Sequence, residues 1–399
     1  MTGRRLPLEG ITVVDLGQIY NGPYATFLMA QAGARVIKIE PPGGENMRRR
    51  GAVGGAMLPF AMLNSNKEFI TLNLKHEKGR DILRQLVVKG DVLLENFAPG
   101  VMDRLGLGPA DLKQLNPRLI YAAGSGFGWS GPYRDYPAMD LTVQAMSGVM
   151  ACTGFPDRPP VKAGPALCDF FGGVHLFGAV MAALYERSVT GEGRFVEVAM
   201  LEAVYASLSS NLGLYHGSGG QAPPRTGNRH GGMAESPYNV YPTSDGYIAL
   251  ICVSETHWDA LVDAMGRPEL KGDPRYSNLK ARVARMDEID ALVGDWTAGF
   301  TKQALFELLM RHRVPCAPVR ELPEVVNDPH LHARGALTRL DHPILGPVVL
   351  PTGPLRFEDA PPRPLRPSQE LGADTATVLE SLLGLDAAAV AQLKQEGAV

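Results

Sequence analysis

Apolar positions in the first half of the chain fall into short runs rich in Val, Ile and Leu, separated by stretches long enough for helices. The runs are GITVVDL (10–16), RVIKIE (35–40), FITLNL (69–74), DVLLENF (91–97), LIYAAGSGF (119–127) and RFVEVAM (194–200). NGPYATFLMAQAGA, EKGRDILRQLVVKG and VHLFGAVMAALYERS lie between them with helical character. Strands alternating with helix-length segments make βαβ units, so the pattern predicts an α/β fold with a mostly parallel, Rossmann-like sheet.

The pattern breaks at 216–237, HGSGGQAPPRTGNRHGGMAESP, where Gly, Pro and polar residues leave almost no apolar periodicity. Such a stretch reads as a linker or loop. Beyond it, YNVYPTSDGYIALIC (238–252) predicts strands about a turn at Ser244–Gly246, and helices are expected around 256–265 and 301–312. Together they predict a small α+β domain of about a hundred residues. VPCAPV (314–319) and the Pro-rich 341–368 read as an extended return path, closed by a helical DTATVLESLLG.

A chain of 399 residues exceeds the roughly 250–300 at which single cores stop growing, so two domains are expected. The hydrophobic share is 45%, the charged share 20% and the net charge −3, the profile of an ordinary soluble protein with no basic surplus to argue for nucleic acid. Uninterrupted apolar runs fall short of the roughly 20 residues that span a bilayer, and the N-terminus reads as neither signal peptide nor anchor. Four scattered cysteines, Cys152, Cys168, Cys252 and Cys316, suit reduced thiols in a cytoplasmic protein better than a disulfide frame or zinc site.

Several motifs compete for the chemistry. Gly126, Gly128 and Gly131 spell GxGxxG directly after a strand, but Pro132 follows and no Asp or Glu lies between 141 and 156. A dinucleotide site needs a helix opening on those glycines and an acid further on, so a glycine-rich strand-end loop is the better reading. His330, His332 and His342 lack the spacing of a metal set, and no metal is expected. Ser130 lacks the last glycine of a nucleophile elbow. Asp169, in GPALCDFFGG, has no Lys or Arg within six residues. It reads as a helix N-cap or as a poorly solvated nucleophile, and both readings can hold at once. Lys38, Lys75, Asn96 and Arg104 fall near the carboxyl ends of expected strands, where open α/β sheets bind ligands and a cationic rim would suit phosphates.

PLEGITVVDL, GARVIKIEPPGG, NSNKEFITLNLK, DVLLENFAPGVMDRLG and LNPRLIYAAGSGFG, followed by RTGNRH, TSDGYIAL, RVPCAPV and NDPHL, resemble in order and spacing the class III CoA-transferases. That family includes formyl-CoA and carnitine CoA-transferases and the α-methylacyl-CoA racemases. The resemblance implies a large Rossmann-like domain from residues 1–216, a linker at 217–225, a small domain at 226–321 and a return of 322–399 to the large domain. It also implies two chains interlocked as a homodimer, acting on an acyl-CoA donor and a carboxylic acid acceptor, with coenzyme A as substrate and product and no tightly bound cofactor.

Carried over by position, Asp169 falls on the family's catalytic aspartate, which passes through an acyl anhydride and an aspartyl-CoA thioester. Gln18, Ile19, Leu72, Lys75, Asn96, Phe97 and Arg104 match positions that bind CoA, and Asp140 matches a supporting carboxylate. Gly172 and Gly173 would leave the thioester unobstructed, helix-start amides near Asp169 could stabilise an oxyanion, and Gly231 and Gly232 match a glycine-rich lid. Racemases carry His where this chain has Met139, and a thioether exchanges no proton, so CoA transfer is favoured. Racemase-like proton transfer, with Glu255 as a supporting carboxylate, and an inactive CoA-binding relative stand as alternatives. Arg48, Arg49, Arg50, Arg225 and Arg229 are candidates to pair with a dicarboxylate such as succinate.

Overall fold

A computed structural model describes residues 5–50, 55, 57–358, 360 and 363–399. Six parallel strands, β1 (Thr12–Asp15), β2 (Arg35–Glu40), β3 (Glu68–Thr71), β4 (Val92–Glu95), β5 (Ile120–Ser125) and β6 (Phe195–Ala199), form one sheet in the order β3-β2-β1-β4-β5-β6. The helix α1 (Asn21–Gln31) joins β1 to β2, and α2 (Asn46–Arg50) and α3 (Met57–Leu63) join β2 to β3. Between β3 and β4 lies α4 (Glu77–Lys89), and α5 (Val101–Arg104) and α6 (Pro109–Leu115) lead to β5. The long connection to β6 holds α7 (Asp140–Met146), α8 (Val149–Cys152) and α9 (Leu167–Thr190).

The apolar runs are continuous because both faces of the sheet are covered. Val13, Val36 and Val92 point to one side, where they pack with Ala25 and Met29 of α1 and Leu176 and Val180 of α9. Their neighbours Val14, Ile37 and Leu93 point to the other side, against Ile82 and Leu86 of α4. Val378, Leu379 and Val390, from C-terminal helices at Thr375–Leu383 and Ala387–Gln395, complete that second layer. By length and composition α9 could cross a membrane, although no uninterrupted apolar run reaches that length. Here its buried stripe lies on the sheet.

The chain forms two compact units, one from the described residues up to Val143 with Pro165–Val204 and Val326–Val399, the other from Gln144–Gly164 with Tyr205–Val325. The second unit folds around an antiparallel sheet of β7 (Tyr238–Thr243), β8 (Gly246–Ile251) and β9 (Cys316–Pro318). Trp258, Leu261, Ile289, Val293, Leu305 and Leu309 fill its core. The VPCAPV stretch is therefore a paired strand. The Pro-rich tract likewise contains a hairpin, β10 (Leu337–His342) with β11 (Gly346–Pro351), since proline is tolerated in strands whose N–H need not donate to a ladder.

A buried charge cluster closes the carboxyl end of β1. Asp15 and Lys67 are fully buried and paired at 2.9 Å. Thr26 Oγ1 donates to Asp15 at 2.7 Å, and the Gly17 N–H donates to its other oxygen at 2.8 Å. Burial pushes the Asp15 carboxyl up, but the Lys67 and Lys38 charges together with hydrogen bonds from Thr26 and Lys67 outweigh it and hold the group below the usual carboxylate range. Lys38 lies fully buried in β2 and donates to the Gly17 carbonyl; it is part of this cluster, where the sequence suggested a phosphate-facing rim. Lys67→Met strands the buried Asp15 charge and is expected to cost about 3–5 kcal/mol. Urea unfolding checks this, and a loss below about 1 kcal/mol would contradict a stabilising role for the pair.

Candidate active site

The strand order reverses between β1 and β4, and open α/β sheets bind ligands at such a switch point. A cleft of about 560 Å³ opens there, lined by Gln18 after β1, Pro41 and Glu45 after β2, Leu72 and Lys75 after β3, and Phe97 and Arg104 beyond β4. Five of the seven residues expected at CoA thus meet around one cleft. Lys75 and Arg104 are exposed, and Phe97 is half-buried.

Ile19 and Asn96 act on the loop between β1 and α1. Asn96 Oδ1 accepts from the Gln18 N–H at 2.7 Å and its Nδ2 donates to the Gln18 carbonyl at 2.9 Å. Ile19 is held at φ 63°, a left-handed conformation costly for a β-branched residue and of the kind that clusters at functional sites. Glu95, beneath Phe97, is pushed up to about 8 by burial, while hydrogen bonds from the Phe97 N–H and the Tyr121 hydroxyl oppose the shift.

The far end of the same loop reaches Asp169. Asn21 Nδ2 donates to the Asp169 carbonyl at 3.3 Å, and the Tyr20 ring lies 6.0 Å from that of Phe170. Asp169 is 8% exposed, and its carboxylate oxygens have no hydrogen-bond or ion-pair partner among the described residues. Burial, with the Asp140 charge adding, pushes its carboxyl up to about 7.

Asp169 is the third residue of α9, whose N-cap is Ala166, so it does not cap its own helix. Asp140, the first residue of α7, does that work: its Oδ1 accepts from the N–H groups of Cys168 at 2.8 Å and Asp169 at 3.3 Å. Leu167 and Phe170 donate their N–H groups to backbone carbonyls. The first-turn amides expected to face an oxyanion are thus all engaged within the protein.

Gly172 and Gly173 serve the approach of α1 to α9. A Cβ at Gly172 would lie 2.2 Å from Asn21 Nδ2, and one at Gly173 would lie 2.7 Å from the Asn21 carbonyl. Asn21 and Tyr24 fill the space that the sequence reading left for a thioester. Met139, just before α7, is 54% exposed. Gly231 and Gly232 lie in the second unit, packed near Asn211 and Ser210. Glu255, in that unit too, pairs with the buried Arg282 at 2.6 Å. Gly126, Gly128 and Gly131 form a strand-end loop, and the next helix begins only at Asp140.

Asn21 and Tyr20 were not legible in the sequence. An Asn and a Tyr opening a helix look ordinary until α9 folds against them. The one signal available was their place directly after β1 of a βαβ unit.

Residues 8–375 match the family model described as CoA-transferase family III. The chain is 41% identical to the acetyl-CoA:oxalate CoA-transferase of Acetobacter aceti, covering 92% of this chain and 94% of that protein. It is 35% identical to the succinate–glutarate CoA-transferase of Agrobacterium fabrum, covering 96% and 97%. Among solved structures, a CAIB/BAIF family protein from Brucella suis superposes with a TM-score of 0.82 at 34% identity, covering 95% of this chain and 100% of that one. With a family match spanning both units and relatives aligned nearly end to end, this chain belongs to CoA-transferase family III.

Proposed function

We propose that this enzyme moves CoA from an acyl-CoA donor to a small dicarboxylic acid, with Asp169 as the covalent nucleophile. The observation that carries the reading is a buried carboxylate whose oxygens have no partner among the described residues, linked by one short loop to a cleft suited to CoA. Relatives named for oxalate, succinate and glutarate support the acceptor class.

The chemistry is a chain of acyl exchanges. Asp169 attacks the donor thioester carbonyl, the C–S bond breaks, and a mixed anhydride forms as CoA leaves as thiolate. The thiolate attacks the aspartyl carbonyl of that anhydride, releasing the donor's carboxylate and leaving an aspartyl-CoA thioester. The acceptor carboxylate attacks this thioester to give a second anhydride. CoA thiolate then attacks the acceptor's acyl carbon, yielding the new acyl-CoA and free Asp169. Water would hydrolyse every intermediate, so a sheltered carboxylate is the physical requirement. Lys75 and Arg104 meet the phosphates of CoA, and Leu72 and Phe97 pack on its apolar parts. The reading includes a homodimer, supported by the exposed apolar stripe of Phe171, Val174, Tyr185 and Val189 on α9.

Asp169→Ala is expected to lower transfer at least about 10³-fold while CoA binding changes by less than about threefold. After incubation with succinyl-CoA and hydroxylamine, the wild-type peptide holding Asp169 should carry a hydroxamate; retained turnover in the variant would overturn the reading. Because the nucleophile must be ionised and its carboxyl sits at about 7, kcat/KM should fall about tenfold per pH unit below that value. Asp140→Asn removes a like charge and should move this acid limb to lower pH; an unshifted limb would mean that Asp140 does not act on the titrating group. Light scattering should give the mass of two chains, and a monomer at micromolar concentration would contradict the dimer.

A further inference from the structure

We propose that Arg50 binds the non-reacting carboxylate of the dicarboxylic acid at Asp169, with the Tyr20 hydroxyl as a second donor, and thereby sets acceptor specificity. This rests on the transferase reading above and names the residues that would read the second charge.

Five arginines were candidates, and four are engaged elsewhere. Arg48 pairs with Glu40 at 2.9 Å and lies over the Phe60 ring. Arg49 turns back on Asn46 Oδ1 at 2.5 Å. Arg225 donates to the Phe155 and Ala151 carbonyls, and Arg229 pairs with Asp287 and Asp290. Arg50 alone of the five has no hydrogen-bond or ion-pair partner among the described residues, and it is exposed at the last position of α2.

Its helix is docked on the loop that leads to Asp169. Glu45 Oε2, just before α2, accepts from the Met47 N–H at 3.0 Å and from the Ile19 N–H at 3.5 Å, and Asn46 Nδ2 donates to Gln18 Oε1 at 3.5 Å. Tyr20 follows on that loop, half-buried beside Phe170, with its hydroxyl unbonded among the described residues. That hydroxyl feels three charges. Burial pushes its pKa up, Asp169 pushes the same way, Arg50 pulls against them, and Asp140 adds to the rise. Tyr20 therefore stands within electrostatic reach of both the nucleophile and the Arg50 guanidinium.

The arrangement suits a short acid with two carboxylates. One must approach the aspartyl thioester, near the negative charge of Asp140, and gains nothing there from a cation. The other can take a bidentate contact from Arg50 and a hydrogen bond from Tyr20. A monocarboxylic acid of equal length places a methyl group before a charged side chain and gains neither contact.

The test compares acids that differ only in carboxylate against methyl: oxalate with acetate, succinate with butyrate, glutarate with pentanoate, using the wild type, Arg50→Ala, Arg50→Lys and Tyr20→Phe. For the preferred diacid, Arg50→Ala should lower the kcat/KM ratio of diacid to monoacid about 10- to 100-fold, chiefly through KM, and Arg50→Lys should restore part of it. Tyr20→Phe should lower the same ratio about 3- to 10-fold. An unchanged ratio, or an equal fall on both acids, overturns the proposal. Failure of the transferase reading would show separately, as wild type that transfers to none of these acids and takes no label at Asp169. Calorimetric titration of the CoA-saturated protein with each diacid then decides the subsite: binding weakened at least tenfold by Arg50→Ala supports it, and absent or unaffected binding overturns it.

Discussion

The buried cluster of Asp15, Lys67 and Lys38 is the constraint on which the site depends. A carboxylate and two amines out of water are tolerable only where each has partners, and here those partners define the backbone after β1. Asp15 takes the Gly17 N–H and Lys38 takes its carbonyl, so the chain leaves the sheet in one direction only. Asn96 then grips the Gln18 backbone from β4. Between these clamps Ile19 is held in a left-handed conformation that a free chain would avoid.

That loop couples two environments of opposite character. On one side Gln18 lines an open cleft with exposed cations at its edge. On the other, Asn21 sits between Gly124 and Gly172, where any Cβ would collide with its side chain. The close packing of α1 on α9 excludes water from Asp169 and leaves its carboxyl poised near neutrality. Asp140 contributes in two ways, by capping α9 through its amides and by placing a like charge beside Asp169. Both effects come from one side chain, so the helix start and the proton affinity of Asp169 are physically linked.

The sheet order is the doubly wound order associated with dinucleotide sites, yet the only GxGxxG lies after β5, away from the switch point. Topology places the cleft, and the side chains at its mouth decide what it accepts. Here those are separate cations from the ends of β3 and β4.

The six strands and the long helices were readable because period-2 and helical apolar patterns are local properties of the chain, and burial on both faces makes those runs continuous. Asp169 was singled out by a local anomaly, a carboxylate in apolar surroundings, and its match to the family's aspartate position rests on the order of segments around it. Other features depended on residues far apart in sequence. The capping of α9 by Asp140 spans 28 positions, and the Asp15–Lys67 pair spans 52. Lys38 reads as a surface cation at a strand end until the fold buries it beneath Gly17. Gly172 and Gly173 read as open space until α1 fills it. The sequence by itself determined which segments become strands and helices, because patterning acts over a few residues. Only the tertiary structure decided which polar groups meet, because desolvation and hydrogen bonding depend on neighbours that the chain brings together in space.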